Sequence, residues 1–193
     1  MKKILFNPFE KYSETVLLIF GIATNTIGLL VTLYYNVKFL GFLKVDYLDS
    51  ITPISVLSHS LIIISVFTLL LFLIGKLINT KTRFIDVFIT VLVARIPFYC
   101  TNFFNTNGII FQHINKIKIL LQTGKIQESL IFDSPLIVVF YIVSLIVLIW
   151  SMTLFYNGFK TATNAKESKH TLCFVIGILV AEIITRTLIH NLN

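Results

Sequence analysis

The chain alternates long apolar runs with short polar breaks. Five runs, at about 15–35, 54–75, 84–104, 135–156 and 171–190, each supply the roughly 20 mostly apolar residues that a helix needs to cross the hydrocarbon core. Only a backbone that satisfies its own hydrogen bonds is stable in lipid. The pattern therefore predicts an all-α, polytopic transmembrane bundle, with 1–193 as a single domain.

The breaks also set a direction. The N-terminal segment holds Lys2, Lys3 and Lys11, the second loop Lys76, Lys81 and Arg83, and the fourth Lys160, Lys166 and Lys169. The alternate loops hold Lys38 and Lys44, then Lys116, Lys118 and Lys125, partly offset by Asp46, Asp49, Glu128 and Asp133. Cationic loops stay cytoplasmic, which predicts N-in, C-out. The third break, about 105–134, is long enough for structure of its own. Ile110, Ile114, Ile117 and Leu121 recur there at helical spacing, which fits a helix lying in the outer interface. A loop that merely contains isoleucines fits equally well.

Composition narrows the class. The 193 residues are 56% hydrophobic and 13% charged, with a mean hydropathy of +0.88, whereas soluble domains carry about a quarter charged residues. The net charge of +7 is explained by the lysine-rich breaks, so no nucleic-acid partner is implied; the partner that composition does imply is the lipid bilayer. Met1-Lys2-Lys3-Ile4-Leu5-Phe6 imitates the head of a signal peptide, but Asn7-Pro8-Phe9-Glu10-Lys11 interrupts it. The first long run is thus expected to be retained as an anchor. Cys100 and Cys173 both fall within apolar runs and read as small packing residues.

Chemistry can reside in few places. In the first run Gly21, Asn25, Gly28 and Thr32 share one helical face, and in the fifth Cys173, Gly177, Ala181 and Thr185 form a small-xxx-small ladder. Such stripes let helix backbones approach closely. The fourth run has only Ser144 as an internal polar break and is expected to face lipid, with Trp150 nearing the inner interface.

Arg95, Glu182 and Arg186 are the costly residues, since a charge near mid-bilayer is penalised by about 2.5–3.5 kcal/mol on insertion scales. Arg95 and Glu182 each lie 11 residues past an inner helix start, and Asn25 lies 10 residues into the first run. Equal depth predicts a buried polar layer of Asn25, Arg95 and Glu182 in which the two charges pair. The competing arrangement pairs Glu182 with Arg186 one turn on and leaves Arg95 to backbone carbonyls, water or a lipid phosphate. Either serves as a packing device or as part of a substrate or proton path. His59, beside Ser58 and Ser60, reads as a histidine bonded to a neighbouring helix, with a proton relay as the alternative. Asp86 suits the first turn of its helix. Pro97, two residues after Arg95, removes a backbone hydrogen bond and predicts a kink.

The sequence holds no HExxH pair, no Gly-x-Ser-x-Gly elbow, no phosphate-cradling glycine loop and no metal-ligand cluster. No enzyme, cofactor or metal is implied.

Asn7-Pro8-Phe9-Glu10 ahead of the first run, Thr82-Arg83-Phe84-Ile85-Asp86-Val87-Phe88 leading into a run that contains Pro97, and Trp150 followed by Gly158-Phe159 and Ala165-Lys166 form a pattern that resembles the YIP-domain family, named for proteins that interact with Ypt/Rab GTPases. The resemblance implies a five-span layout and, for eukaryotic members, membrane trafficking. About 14 residues precede the first run, and neither a long cytosolic N-terminal region nor a motif of the Asp-Leu-Tyr-Gly-Pro type is evident. The chain looks more like the short prokaryotic branch, and contact with GTPases is not expected of it. The lysine, isoleucine and asparagine usage is compatible with an AT-rich bacterial source and the inner (cytoplasmic) membrane. The reading that follows is a non-enzymatic scaffold or adaptor acting through helix–helix contacts, with a membrane-protein partner or as a homo-oligomer. The alternative is a small transporter or channel subunit with a polar path at Arg95 and Glu182.

Overall fold

The computed structural model describes residues 5–123 and 135–192. Five of its helical stretches are long and apolar enough to cross a membrane. In chain order the elements are α1 (Glu14–Tyr34), a hairpin of β1 (Val37–Phe39) and β2 (Val45–Tyr47), α2 (Pro53–Ile78), α3 (Phe84–Tyr99), a 3₁₀ segment (Cys100–Gly108), α4 (Ile109–Thr123), α5 (Pro135–Thr163) and α6 (Ser168–Asn191). The five runs read from the sequence correspond to α1, α2, α3 with its 3₁₀ extension, α5 and α6.

Local chemistry sets the ends. Pro53 stands in the first turn of α2, where its missing N–H costs nothing, and the Thr52 hydroxyl accepts the Ser55 amide at 3.3 Å. Glu167 and His170 form a reciprocal capping box at the start of α6. Pro97 sits in the last turn of α3, and two residues later the α-helix gives way to 3₁₀ geometry. That segment then leaves helical geometry at Asn105–Asn107, and Gly108 adopts φ +70°, a conformation a side chain would strain. The chain thereby turns into α4. A helix does form over 109–123, with Ile110 and His113 buried and Ile119 and Leu121 exposed. The remainder of the long break, 124–134, lies outside the described residues.

α3 is the centre of the bundle. In the 84–123 stretch 67% of the apolar window is buried, against 22–39% in the other spans. It packs chiefly on α5 and α1, while α2 packs chiefly on α6. The fourth run is the least buried of the five, as expected of a lipid-facing helix, but one side of it enters the core. Leu145, Ile146 and Ile149 are exposed, but Ile137, Phe140 and Val147 toward its N-terminal end and Ser151, Leu154, Phe155 and Phe159 toward its C-terminal end are core residues. Ser151 caps the Ala94 carbonyl, one turn before Pro97, which ties α5 to α3 at that point. Cys100 and Cys173 are exposed free thiols rather than packing residues, so the ladder on α6 begins at Gly177.

The cytoplasmic break predicted at the N-terminus is also folded. Trp150 Nε1 donates to the Leu5 carbonyl at 2.7 Å, Asn157 Nδ2 to the Phe6 carbonyl at 2.7 Å, and the Phe9 ring lies against Gly158.

Candidate functional site

The hairpin between α1 and α2 organises the polar interior. Its strands pair antiparallel, Val37 with Tyr47 and Phe39 with Val45, and Asn36 enters it at φ +52°, an accessible conformation for asparagine. The hairpin does not stay at the surface. Val37, Phe39, Phe42 and Tyr47 are all buried, and the Phe42 ring packs on Phe67, Phe98 and Phe155 from three different helices. The turn Leu40–Lys44, closed by the Leu40 amide on the Lys44 carbonyl at 2.9 Å, is thus driven into the bundle by its apolar tip.

A turn inserted in this way carries backbone N–H groups into an apolar medium, where each needs an acceptor. Glu182 on α6 supplies it. Its Oε2 accepts the Phe42 amide at 2.7 Å and the Leu43 amide at 3.2 Å. Its Oε1 takes Arg186, from Nε at 2.9 Å and Nη2 at 2.7 Å. Position 41 must be glycine for this contact, since a Cβ there would stand 2.4 Å from Glu182 Oε1. The carboxylate is buried, whereas the Arg186 side chain is 45% exposed.

Arg95 lies on the other flank of the hairpin. Its guanidinium faces the Phe39 ring at 5.7 Å and the Tyr99 ring at 5.9 Å, distances at which an aromatic face attracts a cation. Its Nη1 donates to the Ser60 carbonyl at 3.3 Å. No carboxylate among the described residues pairs with it. The predicted polar layer is therefore corrected: Arg95 and Glu182 each engage a different part of the hairpin, and Glu182 pairs with Arg186 instead. The hairpin that occupies the space between them has no counterpart in the predicted layer.

Asn25 belongs to a third cluster, the seam between α1 and α3. Its Nδ2 donates to the Leu92 and Gly21 carbonyls at 2.9 and 2.8 Å, and its Oδ1 accepts the Tyr99 hydroxyl at 2.9 Å. Gly28 makes room for that tyrosine, because a Cβ at 28 would lie 2.4 Å from the ring; Gly21 sits less tightly under Leu92, where a Cβ would stand at 3.1 Å. Further along the seam Asn102 Nδ2 donates to the Thr32 hydroxyl at 3.0 Å and Asn105 Nδ2 to the Tyr35 carbonyl at 2.8 Å. The α2–α6 seam is apolar by contrast. Gly177 admits the tip of Ile74, with Ala181 and Thr185 buried beside it.

His59 and Ser60 are both buried on α2, and neither His59 Nδ1 nor Ser60 Oγ has a hydrogen-bond partner. Both line a small cavity together with Lys38, Phe39 and Arg95. Among the described residues no group of three or more His, Cys, Asp or Glu is placed to hold a metal ion.

Gly41, Phe42, Tyr99 and Asn102 are not among the residues singled out from the sequence. For the hairpin a signal exists: Phe39-Leu40-Gly41-Phe42-Leu43 is an apolar run between Lys38 and Lys44, too short for a span and too apolar for a surface loop. Tyr99 carried no such mark.

The fold defines an integral membrane protein, a five-span helical bundle with a hairpin inserted in its core. No protein-family model matches the chain, and no curated protein or solved structure is significantly similar to it.

Proposed function

We propose that the protein is a non-enzymatic scaffold or adaptor that acts through its lipid-facing helix surfaces. One observation carries this reading: the buried polar groups expected to line a path mostly bond the protein's own backbone. Glu182 caps the hairpin tip, and Asn25 and Asn105 cap carbonyls of α3 and α1. A channel or carrier needs polar groups that face a continuous route, and the hairpin stands between Arg95 and Glu182 instead. Meanwhile α6 presents Leu172, Val175, Ile176, Leu179 and Ile183 as an exposed apolar face, available to another helix.

The likeness of the sequence to the YIP-domain family supports the same class of role, in a short member without GTPase contacts. The lysine distribution supports an N-in, C-out orientation in a bacterial cytoplasmic membrane. A photo-crosslinking residue at Leu179 or Ile183, activated in native membranes, tests the reading. A stoichiometric adduct with one membrane protein, or with a second copy of this chain, is expected from these positions and not from buried Ala181. Recovery of uncrosslinked monomer, together with an ion flux in liposomes that Glu182→Gln abolishes, would establish the transporter reading in its place.

A further inference from the structure

We propose that the cavity between Arg95, His59 and Ser60 is a binding site for a single monatomic anion, with chloride as the physiological example. Three observations carry it. The first is charge. Arg95 is only 4% exposed, yet its protein partners are one carbonyl at 3.3 Å and two aromatic faces. A guanidinium has five N–H donors, and a buried cation without a counter-charge is strongly disfavoured. Lys38 also lines the cavity and adds to its positive character.

The second observation is the donors. Ser60 Oγ and His59 Nδ1 are buried without partners and line the same cavity. A hydroxyl and the N–H of a neutral imidazole can both donate, so the site offers hydrogens from three side chains. No Asp or Glu lines it. The third is size. The cavity measures about 10 Å³, room for one guest on the scale of a water molecule. Chloride is slightly larger than water and needs a small outward shift of the lining side chains, whereas phosphate and sulfate are far larger; the absence of lining carboxylates disfavours a cation. An anion held here would tie α2 to α3 and to β1, fixing the Arg95 flank of the hairpin as Glu182 fixes the other.

Ion exchange on the purified, full-length protein in nanodiscs tests the site. The unfolding midpoint is followed as chloride replaces gluconate at constant ionic strength. A ligand that binds only the folded state raises the folded-to-unfolded ratio about 100-fold when present at 100 times its Kd, so a saturable upward shift is expected. Ser60→Ala removes one donor and should raise the half-saturating chloride concentration about 10-fold, the equivalent of one hydrogen bond. Arg95→Gln should abolish the response. Because Arg95→Gln can also fail to fold, bromide soaked into crystals of the wild type provides an independent reading, with an anomalous peak expected between Arg95 and Ser60. Equal midpoints in chloride and gluconate, a response unchanged in Ser60→Ala, or a bromide-free cavity holding only water would each overturn the assignment.

Discussion

Glu182 and Arg95 are both 4% exposed and flank the same hairpin, but the structure treats them differently. Around Glu182 the charge is closed by two backbone amides and a guanidinium, all at 2.7–3.2 Å. Around Arg95 there is one hydrogen bond at 3.3 Å, two ring faces and a cavity with unpartnered donors. An acid can be buried by aiming loose backbone N–H groups at it, and an inserted turn supplies them. A buried base needs acceptors, which a helix has already committed to its own hydrogen bonds. The Glu182 flank is therefore self-sufficient, and the Arg95 flank is complete only with a guest.

Removing the self-sufficient flank should have the largest effect. Glu182→Ala leaves two buried amides and Arg186 without the carboxylate, and should destabilise the fold by roughly 3–5 kcal/mol, the usual cost of breaking a buried charged contact; reversible unfolding in mixed micelles measures it. Crowding the same contact comes next. Gly41→Ala places a Cβ 2.4 Å from Glu182 Oε1 and should cost about 1–3 kcal/mol, as overpacking does. Gly28→Ala, at 2.4 Å from the Tyr99 ring, should cost about the same while leaving the hairpin tip in place, which separates the two seams. A smaller effect is expected in the α1–α3 seam itself. Asn25→Ala and Tyr99→Phe should show a coupling of about 0.6–1.7 kcal/mol, the range seen for hydrogen bonds between membrane helices. Arg95 and Glu182, in contrast, should be independent within about 0.5 kcal/mol in a double-mutant cycle, and strong coupling would restore the direct ion pair.

The slightest effect should come from an exposed group far from the hairpin. Lys169, together with His170, holds the Glu167 carboxyl below its ordinary value of 4.5. A depressed carboxyl stabilises the folded state fully above its unfolded pKa and loses that contribution as pH falls through the folded value. Stability should thus decline slightly below about pH 4.5, and Glu167→Gln should remove that decline. Salt should weaken it as well, because the pair is fully exposed.

The contrast between the two flanks also shows what can be read from sequence. Span positions followed from apolar run length, and the α1 face of Gly21, Asn25, Gly28 and Thr32 followed from helical periodicity, because both depend on local geometry. Burial of Arg95 and Glu182 followed from their depth. Their partners did not, since residue count along two parallel helices fixes height but not which neighbour stands between them. The hairpin strands are three residues each, below the length at which alternation is informative. Tyr99 is one more aromatic in an aromatic-rich chain until Gly28 and Asn25 are seen beneath and beside it. The expected placement of Cys173 on the packed ladder failed for a related reason: small size permits burial but does not require it.

Hydrogen exchange at the backbone amides of Phe42 and Leu43 tests the central claim most directly, because it needs no substitution. If the hairpin tip is inserted and capped by Glu182, both amides in the wild-type protein should exchange as slowly as those of the α3 core, and should be released in Glu182→Ala. Exchange at the rate of an open, hydrated loop in the wild type would mean that the tip lies outside the bundle and that Glu182 has some other partner.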